Sequence, residues 1–285
     1  VDYPLRQLNR EQFPPLLGEI PDAPEKLFLK GKLSLEGQKL LCVVGSRKYT
    51  PYGKGVCEKL IADLAGYPIT IVSGLAIGMD TIAHRAALGA HLPTIAVPGS
   101  GLDWGVLYPK SNRGLAREIL QNGGALLSEF PPGFTATPYS FPQRNRIMAG
   151  MSDATLIIEA GQKSGTLITA RLATEYNRDV LTVPGSIFSQ STYGPHMLIR
   201  NGATPVTSAD DILEALHITP REGHTARHKT LSTDEKQVLE LLATPLPRHE
   251  LVGRLDYDIS SINIILSAME LKGLIKEELG EIRRV

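Results

Sequence analysis

The chain has 285 residues and a mass of 30.9 kDa, enough for one or two domains. Hydrophobic residues make up 42%, Gly and Pro number 27 and 20, and there are two cysteines, which excludes a disordered, collagen-like or disulfide-stapled protein. Thirty basic residues balance thirty acidic ones, so a strongly cationic nucleic-acid binder is excluded while a local basic patch is not.

The opening segment, residues 1–37, carries Pro4, Pro14, Pro15, Pro21 and Pro24 and reads as an extended strap. Its first residue is Val1 rather than Met, so the natural start is expected upstream. From 38 to 217, short β-branched runs alternate with helical stretches. The predicted strands are 41–44, 69–72, 94–97, 125–127, 155–158, 180–183 and a weak 204–206. Most are continuous apolar runs, the pattern of parallel strands covered on both faces. Thr50-Pro51 reads as N-cap and first helical residue, with Gly66 as the stop; Ser111 opens a later helix that Gly123-Gly124 closes. The alternation predicts an α/β fold, an extended Rossmann-like, doubly wound and mostly parallel sheet.

Residues 218–230 are polar and read as a linker, followed by a small domain over 231–285. There, helices over 232–243, 247–255 and 259–271 precede two short strands, 274–279 and 282–285, the order of a winged helix. No apolar run approaches the ~18–20 residues of a membrane span, and no secretory leader pattern opens the chain. Cys42 and Cys57 lie inside predicted elements, which suits a cytoplasmic chain with reduced thiols.

Ligands of open α/β sheets bind beyond the carboxyl ends of the strands. Here those ends read Gly45-Ser46-Arg47, Ser73-Gly74-Leu75-Ala76, Pro98-Gly99-Ser100-Gly101, Ser128-Glu129, Glu159-Ala160-Gly161 and Pro184-Gly185-Ser186. Any one such turn needs Gly for its own geometry, but their recurrence on one edge suits phosphate oxygens held by backbone N–H groups. Arg47, Lys48, Lys110, Arg113, Arg144, Arg146 and Lys163 are expected on the same edge. Phe141 precedes the Arg144-Asn145-Arg146 triplet, and a ring beside cations suits stacking on unpaired bases as much as it suits a core position.

Enzyme signatures are missing. No G-x-G-x-x-G follows a strand, Gly45 to Gly55 lacks the spacing of a phosphate-binding NTPase loop, and Pro98-Gly99-Ser100-Gly101 is out of register for a nucleophile elbow. Asp80 and His84 lie one turn apart, but without a third ligand they read as a capping carboxylate and a structural histidine. No cofactor or metal is expected.

In order along the chain stand V-V-G-S-R (43–47), I-V-S-G-L-A-x-G-M-D-T-I-A-H (71–84), G-L-D…Y-P-K-x-N (101–112), S-E (128–129), F-P-Q-R-N-R-I-M-A-G (141–150), I-E-A…K-S-G-T-L-I-T-A (158–170), V-P-G (183–185) and G-P-H-M-L-I-R-N-G-A (194–203). Together these blocks resemble DNA processing protein A (DprA, also called Smf) over roughly residues 8–216. The resemblance implies a non-enzymatic, cytoplasmic protein that binds single-stranded DNA and loads the RecA recombinase during natural transformation. It implies a phosphate pocket at Gly45, Ser46 and Arg47, with contacts from Gly165 and Thr166. Phe141, Arg144, Asn145 and Arg146 would touch the strand, with Lys110 and Arg113 flanking and Lys163 on the same edge. His196, Met197, Leu198 and Ile199 would form the homodimer surface where RecA also docks. Two departures stand out: many members carry a SAM-like domain ahead of this point, and Phe13-Pro14 replaces the family's usual Tyr-Pro.

The alternative is a nucleotide-handling enzyme of the phosphoribohydrolase type. It needs a P-G-G-x-G-T-x-x-E run, and the nearest text, Gly161-Gln162-Lys163-Ser164-Gly165-Thr166, is followed by Ile168 and Thr169 where the acid belongs. The C-terminal segment 231–285 has seven cations against ten anions, and the expected recognition helix 259–271 has no Lys or Arg, so it is not expected to be the main DNA reader.

Overall fold

A computed structural model describes residues 3–220, 232–242, 244–271, 274–278 and 280–284. The chain divides into two compact units, residues 1–219 and 220–285. From 221 onward the predicted linker lies outside the described residues, as do the last residues of the two predicted strands.

The first unit is a nine-stranded sheet. Its strands are β1 (Arg6–Leu8), β2 (Leu27–Gly31), β3 (Lys39–Val44), β4 (Ile69–Ser73), β5 (Thr94–Ala96), β6 (Ala125–Ser128), β7 (Ala154–Ile157), β8 (Asp179–Thr182) and β9 (Thr204–Pro205). They lie in the order β1-β2-β6-β5-β4-β3-β7-β8-β9, with every pair from β6 to β9 parallel. Between them run α1 (Pro15–Gly18), α2 (Pro51–Asp63), α3 (Met79–Gly89), α4 (Arg113–Gln121), α5 (Ser140–Met151), α6 (Thr166–Glu175), α7 (Tyr193–Arg200) and α8 (Ala209–Ala215).

The strand pattern explains the two-sided cover. Along β3, Leu41 and Val43 enter one core with Leu60, Ile61 and Ile82 from α2 and α3. Leu40, Cys42 and Val44 enter the other, with Ile147, Met148 and Met151 from α5. This is the period-two alternation of a strand buried on both faces. Thr50 caps α2 by accepting from the Gly53 N–H at 3.1 Å, with Pro51 as first helical residue. Because β3 has β4 on one side and β7 on the other, the chain reverses direction across the sheet there. That junction is the switch point at which open α/β sheets bind ligands.

The expected strap is corrected. Residues 6–8 and 27–31 form two antiparallel strands, and β2 pairs with β6 from Phe28 opposite Ser128 to Gly31 opposite Ala125. The prolines sit outside these strands, with Pro15 opening α1, while Leu27, Phe28 and Leu29 are buried. Without β2, the β6 edge would expose a row of unpaired backbone groups.

The second unit is a winged helix with α9 (Thr233–Leu241), β10 (Leu246–Pro247), α10 (Arg248–Gly253), α11 (Ile259–Leu271), β11 (Ile275–Glu278) and β12 (Glu281–Arg284). Ser232 and Glu235 form the capping box that starts α9. The two-residue β10 adds a third strand, in the order β10-β12-β11, and Val238, Leu251, Ile262, Leu266 and Ile282 form the core. Among the described residues no helix is long and apolar enough to cross a membrane.

Candidate nucleic-acid interface

At the carboxyl edge, the turn after β3 projects Arg47 outward. Ser46 shapes this turn: its Oγ accepts from the Lys48 N–H at 3.0 Å and donates to the Lys48 carbonyl at 2.7 Å. The exposed Arg47 guanidinium lies 5.3 Å from the centroid of the Phe141 ring, a cation–π pair linking β3 to α5. On its other contact, Phe141 meets Tyr108 with centroids 5.7 Å apart and planes at 51°. Arg47, Phe141, Tyr108, Ile77, Gly74 and Arg144 line one cleft. Ile77 and Tyr108 are half-exposed there.

Two glycines of this edge make room for the protein itself. A Cβ on Gly99 would come within 2.7 Å of Phe141 Cδ1, so only glycine lets the ring settle against the end of β5. At Gly45 a Cβ would stand 2.7 Å from Met79 Cγ, so the close approach is to α3.

Arg144 points inward. It is 4% exposed, and its guanidinium donates to the Gly74 and Val97 carbonyls and, through Nε, to Asn145 Oδ1 at 3.1 Å. It therefore clamps the ends of β4 and β5 and does not offer a free fork to the solvent. Burial pushes its pKa down and the nearby Asp80 carboxylate opposes that shift. Asp80 accepts from the Gly74 and Ala76 N–H groups at 3.1 and 3.3 Å; burial raises its pKa, countered mainly by Arg144. Below them, Thr94 Oγ1 donates to the Ile71 carbonyl at 2.9 Å, so His84 Nδ1, 2.8 Å away, carries the ring proton. Burial lowers the His84 pKa to about 3, which keeps it neutral.

The remaining expected residues divide. Arg146 is ion-paired to the Glu129 carboxylate and donates to the Asp22 carbonyl at 2.6 Å, so its fork faces the N-terminal segment. Arg113 donates to the Leu107 and Gly105 carbonyls at 3.0 and 2.6 Å and braces the loop before α4. Lys110 is exposed on the turn preceding that helix. Gly165 and Thr166 stand at the start of α6, beside the exposed Lys163 and across the switch point from Arg47's turn. The structure thus joins Arg47, Phe141 and Arg144 in one cleft and separates Arg113 and Arg146 from it.

Glu159 went unassigned in the sequence. Its buried carboxylate accepts from the Thr50 N–H at 2.9 Å, the Thr50 hydroxyl at 2.5 Å and the Ser191 hydroxyl at 2.9 Å, tying together the turns after β3, β7 and β8. Tyr108 was also missed as a site residue, although it stands inside a quoted motif.

The expected dimer surface splits as well. Leu198 is buried in the sheet core and is not available to a partner, because α7 turns that position toward β8 and α6. His196 meets the Gly185 carbonyl at 3.0 Å, and Ile199 is half-buried. Together with the exposed Ile187, Phe188 and Tyr193, His196 and Met197 line a groove of about 620 Å³. Ile187 and Phe188 are 80% and 92% exposed, a cost no isolated turn requires.

Both cysteines are free and buried; burial pushes Cys42 up to about 12 and raises Cys57 too, so neither thiol ionises near neutrality. Among the described residues no group of three His, Cys, Asp or Glu side chains could hold a metal ion.

Comparison with known proteins places the chain in a family. Residues 5–217 match the family model described as DNA recombination-mediator protein A, and residues 222–281 match the DprA winged helix domain. Protein Smf of Escherichia coli (strain K12) is 38% identical over 261 residues, 90% of this chain and 67% of that protein. DNA processing protein DprA of Streptococcus pneumoniae is 44% identical over 211 residues, 74% of this chain and 73% of its own length. The crystal structure of the pneumococcal protein superposes with a TM-score of 0.68 at 42% identity, covering 74% of each chain. DNA processing protein A of Helicobacter pylori, described for its single-stranded DNA binding mode, superposes at 0.67 with 31% identity, covering 75% of this chain and 96% of that one. On the sheet domain, the winged helix and these relatives, the chain belongs to the DNA recombination-mediator protein A family, whose members include DprA and Smf.

Proposed function

We propose that this protein binds single-stranded DNA in the cleft between Arg47 and Phe141 and delivers it to a RecA-type recombinase during natural transformation. The observation that carries this reading is the exposed Arg47 guanidinium standing over a half-buried phenylalanine at the carboxyl edge of the sheet. A cation for the phosphate and a ring for the base are the two parts of a sequence-tolerant single-strand site. Lys110, Lys163 and the α6 start at Gly165-Thr166 extend the basic edge beyond the cleft.

No chemical step is assigned to the protein. Of the carboxylates at the edge, Asp80 and Glu159 are buried and filled by N–H and hydroxyl donors, and Glu129 is ion-paired to Arg146, so each is tied into the fold. The groove at His196 and Met197, rimmed by Ile187 and Phe188, is read as the surface for a second copy of the chain and for RecA. The pneumococcal and H. pylori relatives support the DNA-processing role through their names.

Titration of fluorescent single-stranded and duplex oligonucleotides of several sequences tests this reading. Tighter binding to single strands, indifferent to sequence, is expected. Preference for duplex, or release of free base from nucleoside monophosphates incubated with the protein, would instead favour the enzyme alternative.

A further inference from the structure

The single tryptophan of the chain lies away from the cleft, in the loop after β5. Two cations stand over its ring. Lys30 Nζ is 5.1 Å from the Trp104 centroid and the Arg117 guanidinium carbon is 4.9 Å from it. Lys30 is the last residue but one of β2, paired with Leu126 of β6, and Arg117 comes from the second turn of α4.

Lys30 is an unusual residue for its place. It is 6% exposed, in a strand whose other side chains are apolar, and buried ammonium groups are normally matched by a carboxylate. Among the described residues, no carboxylate forms an ion pair with Lys30 or Arg117, and neither donates a hydrogen bond to a protein acceptor. Asp103 and Glu118, their neighbours in the loop and helix, pair with neither. Four other arginines of this domain are committed: Arg144 and Arg113 to carbonyls, Arg146 to Glu129, and Arg178 to the Leu16 carbonyl and Glu19. The ring orients the two cations without using their N–H groups, of which a lysine has three and an arginine five. A ring already covered by cations is not a stacking platform for a base. It is an anchor for two cations with unspent N–H groups, of which Arg117 is exposed and Lys30 lies beneath it.

We propose that Lys30, Trp104 and Arg117 form a second phosphate subsite, which takes the backbone of the single strand as it leaves the Arg47–Phe141 cleft. The inference rests on the reading of that cleft as a single-stranded DNA site. Continuity comes from the loop itself. Tyr108, whose ring meets Phe141, follows Trp104 by four residues, so the two lie within about 14 Å along the chain. The exposed Lys110 stands just beyond, on the same connection between β5 and α4. The strand would thus run from stacked base to paired cations along one loop, and the site would lengthen the footprint without adding sequence preference.

The test is a salt-dependent titration with oligothymidylates of increasing length, using the full chain and the variants Arg117→Gln, Lys30→Met and their combination. A short oligomer that fills only the cleft should bind all of them alike. Longer oligomers should bind the double variant about tenfold more weakly, with the slope of log K against log salt reduced by about 0.7 for each cation removed. Unchanged affinity and slope at every length, while Arg47→Ala still weakens binding, would overturn the subsite and leave the cleft reading intact. If Arg47→Ala also has no effect, the cleft reading fails and the subsite fails with it. Should Lys30→Met not fold, the exposed Arg117→Gln carries the test alone, with a slope change of about 0.7 expected.

Discussion

Replacing Arg144 with Met separates an internal clamp from a DNA contact. The guanidinium is 4% exposed, holds the Gly74 and Val97 carbonyls and faces Asp80 across the interior. Methionine keeps much of the stem volume but leaves two buried carbonyls without this donor and a buried carboxylate without its countercharge. Each unsatisfied acceptor costs about 1–3 kcal/mol, and loss of the cation facing a buried carboxylate adds to this, for about 3–5 kcal/mol in total. For a sheet domain of this size, each kcal/mol lowers the midpoint by about 2–4 °C, so a fall of about 6–20 °C is expected in a thermal melt followed by circular dichroism. Where the variant is still folded, its salt slope for single-stranded DNA should match the parent, because no phosphate contact has been removed. A variant as stable as the parent that loses affinity and about 0.7 of the slope would refute the inward placement and return Arg144 to the DNA surface.

Other outcomes follow from the same contacts. Arg47→Ala should weaken single-strand binding about tenfold or more, as loss of a charge-assisted bond of about 1.5–3 kcal/mol requires, without changing the melting midpoint. Gly99→Ala places a methyl group 2.7 Å from Phe141 and should reduce affinity for single strands by tilting the ring, measured by the same titration. His84 titrates near 6.5 in the unfolded chain and at about 3 in the native one, so the unfolded state gains the proton first as pH falls. Its contribution is fully present above about 6.5 and should cost about 2 kcal/mol of stability between pH 7 and pH 5, a loss that urea titration should find reduced in His84→Gln. Ile187→Glu combined with Phe188→Ser should give a folded monomer by sedimentation if the groove beside α7 is the self-association surface.

The central parallel strands were legible because they are short runs of β-branched and apolar residues, which a strand covered on both faces must be. The first two strands were not, because three and five residues among scattered prolines carry no periodicity; only pairing with the β6 edge makes them strands. For Arg144 the signal for burial was present in the sequence. It precedes Ile147, Met148 and Met151 at helical spacing of three, four and seven, which sets it on the buried face of α5. Arg146, two residues on, falls on another face and meets Glu129, a pairing between elements that no local pattern announces. Arg47 and Phe141 were legible as residue types at strand and helix ends, but their meeting at 5.3 Å depends on the crossover that brings α5 beside β3. Tyr108 and Trp104 sit in a loop without periodicity, so their contacts had no sequence signal.

The central claim is that Phe141 stacks a base beside the phosphate held by Arg47, and a comparison of oligothymidylate with an abasic strand of equal length and charge tests it most directly. Wild-type protein should prefer the strand with bases by about 1–3 kcal/mol for the base on Phe141, and Phe141→Ala should close that part of the gap while keeping its salt slope. An equal preference in parent and variant would show that no base rests on Phe141 and would contradict the account.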